Sequence, residues 1–352
     1  MNVPKPPLVS VLTPVYNGER YLTECIESVL AQGYPNWEYL ILDNHSTDGT
    51  SEIARRYAEQ DPRIRVLQPD RFVDVWENHH TAFRSVPPEA KYVKVIHADD
   101  WMYPGCLERM VQVAEAHPRV GIVSAYRLDD IRVSLTGLPY QRQAFPGREI
   151  ARLNLLTGRF VFGSPSSLLF RADVVRSRDP YFEHDRFPRH ADTASCLDIL
   201  KDWDFGFVHQ VLTYTRRHPE SLSTSAARRN TYIAEYLTML VEYGPHYLAT
   251  EEFDARLRHR LKRYRRFLAK ALLTERDPEF WALHKEALAE AGHPLRHSQL
   301  LGAGMMLALE ITPGDLLRQL RDLPTRFLPR SKAGGLESGQ RRLETSHGRS
   351  SS

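Results

Sequence analysis

Short apolar runs alternate with amphipathic stretches along the first 125 or so residues of the chain. The amphipathic stretches carry apolar residues at helical spacing and predict helices at residues 19–32, 51–60, 76–84 and 104–117. The short apolar runs are typical of buried strands, and they predict strands at residues 8–13, 37–42, 64–67, 92–96 and 120–124. Strands that alternate with helices predict a mainly parallel sheet that is covered on both faces.

The pattern becomes less regular after this first part. Strand-like runs follow at residues 160–162, 167–170 and 205–209, and the sequence from residue 226 to residue 327 is helical almost throughout. After Arg330 the chain has hardly any apolar residue, which is typical of disorder. We therefore predict three regions: an α/β domain at residues 1–225, a helical C-terminal region at 226–330 and a disordered tail at 331–352.

Composition excludes several classes of protein. Of the 352 residues, 42% are hydrophobic, which is normal for a packed core, yet no apolar run reaches the length of a membrane span. The first seven residues lack the apolar segment of a signal peptide. The three cysteines are far apart and predict neither disulfides nor a zinc site, so a cytoplasmic location is expected. A net charge of +3 is too small to indicate a nucleic-acid partner.

Polar residues follow three of the predicted strands. The first strand leads into Thr13-Pro-Val-Tyr-Asn-Gly18, the second into Asp43-Asn-His-Ser-Thr-Asp-Gly49, and the run at 92–96 into Asp99 and Asp100. Ligands of open α/β sheets bind beyond the carboxyl ends of the strands. Two adjacent carboxylates repel each other, so a bound Mg²⁺ or Mn²⁺ explains the pair. The alternative is a solvated turn that caps the next helix.

The three segments, in this order and spacing, resemble the signatures of the family 2 glycosyltransferases of the GT-A fold: Pro-x-Tyr-Asn, Asp-Asp/Asn-x-Ser-x-Asp and an Asp-x-Asp-type pair. The resemblance covers about residues 7–225. It implies an α/β nucleotide-sugar-binding sandwich with a helical C-terminal appendage, in which residues 1–125 form the donor nucleotide half and residues 126–225 the acceptor and catalytic half.

The same resemblance implies an activity and its partners. We expect a metal-dependent, inverting glycosyltransferase that moves a sugar from a UDP-, dTDP- or GDP-sugar to a hydroxyl acceptor. The acceptor is expected to be a glycan or a lipid-linked glycan, in cell-surface polysaccharide or glycoconjugate synthesis. A nucleotidyltransferase and a non-catalytic nucleotide-sugar-binding scaffold are the alternatives. A nucleotidyltransferase would require a Gly-rich loop with Arg and Lys after the first strand, and the segment at residues 13–18 is not such a loop.

On the donor side, Tyr16 offers a flat face for a uracil-like base, and Asp43 can accept hydrogen bonds from a base N–H or a ribose hydroxyl. A packed core aromatic and a turn cap are the structural alternatives for these two residues. Asp48 is expected to cap the following helix. The donor-binding residues that the resemblance implies are Thr13, Pro14, Tyr16, Asn17, Asp43, Asp99 and Arg217.

The resemblance implies that Asp99 lies near the donor ribose and that Asp100 binds the metal. Many relatives carry another Asp two places before the pair, where this chain has His97. His218 and Arg217 match a Tyr-x-Arg-x-His loop that closes over the diphosphate, and His218 is a second candidate metal ligand. An exposed polar loop is the alternative. The cofactor is expected to be Mg²⁺ or Mn²⁺, and imidazole suits Mn²⁺ better.

Relatives often have Arg just before the position of Asn78, where this chain has Glu77. Arg71 and Arg84 are candidate substitutes for a phosphate contact.

The catalytic base that the resemblance implies is Asp192, which precedes a predicted helix. A carboxylate suits this task because the acceptor proton becomes acidic only as the new C–O bond forms. Asp185 and Asp198 are competitors, and a helix cap is the structural alternative.

Residues 256–266 hold seven Arg and Lys side chains and no acidic one, with an apolar stripe formed by Leu257, Leu261, Tyr264 and Leu268 at helical spacing. One hypothesis is a basic amphipathic helix on an anionic membrane surface, which would give peripheral contact with the inner face of the membrane. The favoured alternative is a helix docked on the catalytic domain with a solvated basic face.

Overall fold

The computed structural model describes residues 5–187, 190–218, 230–275 and 277–310 of the chain. The tail predicted at residues 331–352 lies outside the described residues, as does the end of the predicted helical region. One compact unit extends to Ala303, and a second begins at Gly304. Of the second unit, the described residues are the end of the last helix.

The described residues of the unit that ends at Ala303 form ten strands. They are β1 (Leu8–Val15), β2 (Trp37–Asp43), β3 (Ile64–Leu67), β4 (Ala90–Val95), β5 (Trp101–Met102), β6 (Val120–Asp129), β7 (Arg132–Ser134), β8 (Ala144–Phe145), β9 (Leu169–Arg171) and β10 (Asp204–Thr215). A short 3₁₀ turn, Pro165–Ser167, precedes β9.

Eleven helices lie within the described residues. They are α1 (Glu19–Leu30), α2 (Thr50–Gln60), α3 (Val75–Arg84), α4 (Cys106–Ala116), α5 (Gly147–Thr157), α6 (Ala172–Arg176), α7 (Ala191–Ile199), α8 (Thr231–Tyr247), α9 (Thr250–Thr274), α10 (Pro278–Glu290) and α11 (His297–Glu310). In this part of the chain, no helix combines the length and the apolar character needed to cross a membrane.

The strands form a single mixed sheet in the order β3-β2-β1-β4-β9-β6-β10-β5, with β7 beside β6 and β8 beside β10. The pairs β2–β3, β1–β2, β1–β4 and β6–β10 are parallel. Strand β9 runs antiparallel to both of its neighbours, β4 and β6. The predicted α/β fold with a mainly parallel central sheet is confirmed.

Two hydrophobic clusters cover the two faces of the sheet because successive strand residues point to opposite sides. On one face, Val9 and Val11 of β1 pack with apolar residues of α1, α2 and α4. On the other face, Leu12 packs in a cluster built from α3, α5, α6, α7 and α8. The strand interior is therefore dry on both sides, as the continuous apolar runs indicate.

Helix α8 shares the core of the α/β domain although it follows the predicted domain boundary at residue 225. Its Met239, Leu240, Tyr243 and Tyr247 belong to the second of these clusters. The later helices α9, α10 and α11 form a third cluster with part of α8. The apolar stripe of the basic segment lies there, since Leu261, Tyr264 and Leu268 are almost fully buried. The stripe is therefore not available to a membrane, as the docked-helix alternative requires.

The strand predicted at residues 160–162 is wrong. Phe162 is fully buried in the core, but its backbone follows α5 as a loop, and its carbonyl accepts a hydrogen bond from Ser124 Oγ at 3.0 Å. Phe160 and Phe162 are apolar because this loop packs against the core, and neither belongs to a strand. The run at 167–170 is divided between the 3₁₀ turn and β9.

Gly147, the first residue of α5, offers a test of how tightly α5 packs on the turn before β10. A Cβ at this position would lie 2.1 Å from the carbonyl oxygen of Trp203 and 2.5 Å from that of Leu200. We expect Gly147→Ala to lower the free energy of unfolding by about 1–3 kcal/mol, because backbone atoms must move. Urea unfolding measures this value.

Gly33→Ala is the matched control, since a Cβ at Gly33 has no other heavy atom within 4 Å. It should change the free energy of unfolding by no more than about 0.5 kcal/mol. Equal effects of the two substitutions would contradict the packing described for α5.

Candidate functional site

Three strand ends meet at one edge of the sheet, as the sequence predicts. Val15 at the end of β1 pairs with Asp43 at the end of β2, and the Ile96 amide after β4 donates to the Leu12 carbonyl at 2.9 Å. Asn17 joins the first two loops: its backbone N–H donates to Ser46 Oγ at 2.9 Å. The Asn17 side-chain oxygen accepts from the Thr47 amide at 2.8 Å, so this side chain braces the loops.

Thr13 and Pro14 lie beneath this edge rather than on its surface. Both side chains are buried. The Thr13 hydroxyl donates to the Ile96 carbonyl at 2.7 Å and lies 2.9 Å from the Tyr39 hydroxyl. The Thr13 side chain therefore links β1 to the chain that leaves β4.

An exposed aromatic pair marks the surface of the edge. Tyr16 is 49% exposed and Phe72 is 58% exposed, and their ring centroids are 5.0 Å apart in an edge-to-face arrangement. Two exposed aromatic rings in contact form a small apolar patch, and such patches are typical of ligand-binding surfaces. Tyr16 was predicted from its motif, whereas Phe72 was not, because a lone loop phenylalanine carries no signal in the sequence.

Asp43 is fully buried at the end of β2. Its carboxylate accepts hydrogen bonds from the Ser46 amide at 3.0 Å, from Gln68 Nε2 at 3.0 Å and from the Ser51 hydroxyl. Burial alone would raise the pKa of Asp43, but the hydrogen bonds from Ser46, Ser51 and Gln68 outweigh it and hold the pKa below its usual value. Asp43 is therefore a fixed anion beside the aromatic pair.

His97, Asp99 and Asp100 form a cluster whose possible metal-ligating atoms all lie within 4.8 Å of one another. Asp100 is almost completely buried, and it accepts hydrogen bonds from the Arg216 amide at 3.2 Å and the Thr215 hydroxyl at 3.4 Å. Burial, and then the neighbouring Asp99 charge, raise the pKa of Asp100 to about 6. A cation would relieve both effects.

The segment after β10 closes on this cluster. His218 Nε2 lies 3.0 Å from a carboxylate oxygen of Asp99, which brings the predicted His218 to the acidic pair. The Arg216 guanidinium donates to the Asp99 carbonyl at 3.3 Å and lies over the Tyr21 ring at 4.3 Å. Arg217, the predicted diphosphate contact, instead pairs with Asp129 through two hydrogen bonds of 2.6 and 2.7 Å. Here Arg216, not Arg217, lies at the acidic pair.

The two candidate substitutes for a phosphate-binding arginine differ. Arg84 is held by Glu77 and Asp179, each at 2.7 Å, and is therefore already paired. Arg71 is exposed and directly precedes Phe72.

Asp192 lies in the first turn of α7 and is half-buried. Its carboxylate accepts a hydrogen bond from the Thr193 amide at 2.7 Å. Burial raises the pKa of Asp192, while the neighbouring charges of His190 and His97 oppose this. Asp192 is thus close enough to His97 of the acidic cluster to interact with it electrostatically. Of the competitors, Asp185 is fully exposed, and Asp198 is held by Arg178 and by Lys201, the latter at 2.5 Å.

Residues 10–178 match the family described as Glycosyl transferase family 2. The predicted family is therefore confirmed for this domain. The chain is 37% identical over 120 residues to "Putative glycosyltransferase EpsE" of Bacillus subtilis, covering 33% of this chain and 42% of that protein. It is 32% identical over 124 residues to "Glycosyltransferase GlyG" of Streptococcus pneumoniae, covering 35% and 40%. The chain thus spans less than half the length of these curated relatives.

Solved structures share the fold. S. aureus TarS 1–349 in complex with UDP-GlcNAc superposes with a TM-score of 0.56 at 18% identity, covering 80% of each chain. The mannosyltransferase PcManGT from Pyrobaculum calidifontis, in complex with GDP-Man and Mn²⁺, superposes with a TM-score of 0.51 at 20% identity. That match covers 89% of this chain and 83% of the other. The predicted GT-A-type fold is confirmed.

The raised pKa of Asp100 predicts how the stability of the metal-free protein depends on pH. A carboxyl group whose pKa is higher in the folded than in the unfolded state stabilises the folded protein at pH values below its unfolded pKa. For Asp100, that stabilisation is lost as the pH rises through about 6. Relative to wild type, Asp100→Asn should gain up to about 3 kcal/mol between pH 4 and pH 7.5, since each pKa unit corresponds to about 1.4 kcal/mol. Urea unfolding in EDTA measures the difference.

Asp254→Asn, at an exposed position of α9, is the control and should show no such pH-dependent gain. A constant difference between wild type and Asp100→Asn across this pH range would contradict the burial and repulsion assigned to the acidic pair.

Proposed function

We propose that this protein is a metal-dependent, inverting glycosyltransferase that moves a sugar from a nucleotide-sugar donor to a hydroxyl acceptor. The observation that carries the proposal is the His97–Asp99–Asp100 cluster at the same sheet edge as the exposed Tyr16–Phe72 pair. The aromatic pair offers stacking surface for a base, Asp43 offers a fixed anion, and the acidic cluster offers a place for the diphosphate with its counter-ion.

The residues of the cluster fit a divalent cation. Asp99 and Asp100 supply carboxylate oxygens, and His97 replaces the carboxylate that many relatives have at this position with an imidazole. An N,O,O ligand set favours Mn²⁺ over Mg²⁺, so we expect Mn²⁺ to bind more tightly. His218, held on Asp99, orients that carboxylate or joins the ligand set. When bound, the metal would neutralise the charge of the departing diphosphate.

The acceptor side contributes the proton transfer. Asp192 takes the proton of the acceptor hydroxyl as that oxygen attacks the anomeric carbon from the face opposite the diphosphate. The anomeric C–O bond to the diphosphate breaks through an oxocarbenium-like transition state, and the electron pair leaves with the diphosphate. Burial around Asp192 keeps bulk water from competing with the acceptor.

The nucleotide is proposed to be uridine, thymidine or guanosine diphosphate, since TarS and PcManGT are described with UDP-GlcNAc and with GDP-Man. The acceptor is proposed to be a glycan or lipid-linked glycan of a cell-surface polysaccharide, made at the cytoplasmic side. A relative described as a putative teichuronic acid biosynthesis glycosyltransferase, from Bacillus subtilis, supports this class. A non-catalytic scaffold would need no base, and the burial of Asp192 beside the cluster disfavours it.

Two substitutions separate binding from chemistry. Asp100→Asn should weaken Mn²⁺-dependent binding of the nucleoside diphosphate and reduce transfer, because it removes a ligand charge. Asp192→Asn should leave that binding near wild type and lower the transfer rate by roughly 10²–10⁴-fold, because it removes the proton acceptor. Calorimetric titration with UDP and GDP in Mn²⁺, and turnover with a panel of nucleotide sugars, measure the two effects.

Asp185→Asn is the control, since this exposed aspartate should be dispensable. Wild-type turnover that is unchanged by excess EDTA would sink the metal assignment. Transfer by Asp192→Asn within a few-fold of wild type would remove Asp192 from the mechanism.

A second surface supports peripheral membrane contact. With its apolar stripe buried, α9 presents exposed Arg258, His259, Lys262, Arg263 and Lys270 on one face. The sequence has no Asp or Glu between residues 255 and 274. We propose that this face contacts anionic lipid headgroups through charge alone, without insertion. Each Lys or Arg near such a surface contributes about 1 kcal/mol.

Co-sedimentation with phosphatidylcholine vesicles that do or do not contain phosphatidylglycerol tests this contact. The triple variant Arg258→Gln, Arg263→Gln and Lys270→Gln should bind the anionic vesicles roughly 100-fold more weakly, since three charges contribute about 3 kcal/mol. Adding salt should weaken binding of the wild type.

The charge-matched control carries Gln at the exposed Arg55, Arg132 and Lys285 and should bind as the wild type does. Equal loss in both variants would indicate net charge rather than this face. Equal binding of the wild type to both kinds of vesicle would overturn the proposal.

A further inference from the structure

Helix α8 lies along α7, the helix that holds Asp192 in its first turn. The Tyr243 hydroxyl of α8 donates to the Ala194 carbonyl of α7 at 3.1 Å, and the Tyr247 hydroxyl donates to the Leu197 carbonyl. These bonds fix the second half of α8 on the backbone of α7. The first half of α8 therefore lies beside the beginning of α7, next to Asp192.

The first half of α8 carries a buried carboxylate to this place. Glu235 Oε2 lies 2.6 Å from His190 Nε2, and the two side chains are only 11% and 14% exposed. The Tyr232 ring packs on the His190 ring with centroids 5.1 Å apart. A cavity of about 50 Å³, lined by both members of the pair and by Thr193, opens beside them. This volume suits one or two water molecules and not a sugar.

We propose that His190 and Glu235 form a charge-setting pair for Asp192, so that α8 supplies a positioning residue for the acceptor side of the reaction. His190 lies two residues before Asp192 in the chain, and Glu235 contacts His190 from the neighbouring helix α8. The inference rests on the proposed function only in that it takes Asp192 as the proton acceptor; the contacts themselves are independent of it.

The charges around Asp192 give the direction of the effect. Burial raises the pKa of Asp192, and His190 opposes that rise. Burial and then Asp192 hold the pKa of Glu235 well above its usual value, so the two carboxyl groups repel each other. The other titratable groups that act with Asp192 are His97 from the acidic cluster, Tyr232 from α8, Tyr181 and Cys196.

His190 therefore pairs with Glu235 and also favours the ionised form of Asp192, whereas the two carboxyl groups oppose each other's ionisation. When the imidazole is removed, Asp192 loses a favourable partner and keeps an unfavourable one, and its ionisation requires a higher pH. When the Glu235 charge is then removed as well, the repulsion disappears and the ionisation of Asp192 returns toward its original range. This reversal distinguishes a charge pair from a packing contact.

The test is a ¹³C carboxyl NMR titration of Asp192 in the full chain in EDTA, with the signal assigned through its loss in Asp192→Asn. His190→Gln should move the titration midpoint upward by about one pH unit, and His190→Gln combined with Glu235→Gln should bring it back toward wild type. His246→Gln, at an exposed position of α8, is the matched control and should leave the titration midpoint of Asp192 unchanged.

An unmoved midpoint in His190→Gln, or no return in the double variant, would overturn the proposal. If His190→Gln does not fold by circular dichroism, His190→Asn is titrated in its place with the same expected sign. In turnover, the acidic limb of the pH–rate profile should shift in parallel, with the donor KM near wild type.

The NMR titration and the turnover measurement also separate this inference from the proposed function. A wild type that transfers no sugar would count against the function while the NMR titration still decides on the pair. A transfer-competent enzyme with an unmoved midpoint would reject the pair alone.

Discussion

Two adjacent carboxylates at the end of a buried strand are the constraint around which the site is arranged. Left alone, Asp99 and Asp100 repel each other, and burial of Asp100 increases the cost. The fold offsets part of this cost with polar groups from the chain after β10, which close on the pair through Arg216 and His218. A bound cation would offset the rest, so the repulsion that lowers stability is also what would favour a metal at this place.

Residues whose chemistry depends on position along a strand were predictable from the sequence. Asp43, Asp99 and Tyr16 follow apolar runs, and parallel strands bring such ends to one edge, so their convergence follows from strand order alone. Register within a loop is not fixed in this way. The neighbouring residues Arg216 and Arg217 have different partners. The backbone path after β10 decides which of them contacts the acidic pair.

Contacts between distant elements were also beyond the sequence. In the sequence, Glu235 resembles any other polar residue of an amphipathic helix. No neighbouring residue in the sequence indicates that this side of α8 contacts His190. Thr13 lies within a recognised motif, yet its side chain is buried and hydrogen-bonded to the Ile96 carbonyl, which the motif alone does not predict. Tertiary packing decides such cases, because the same residue type serves both purposes.

The antiparallel strand β9 has a mechanical consequence. It is hydrogen-bonded to β4 on one side and to β6 on the other, so the strands on both sides of it belong to one continuous sheet. Opening a hinge between β4 and β6 would break that ladder. Closure over the cleft is therefore expected from loops rather than from movement within the sheet, and Arg216 and His218 after β10 already contact the acidic pair.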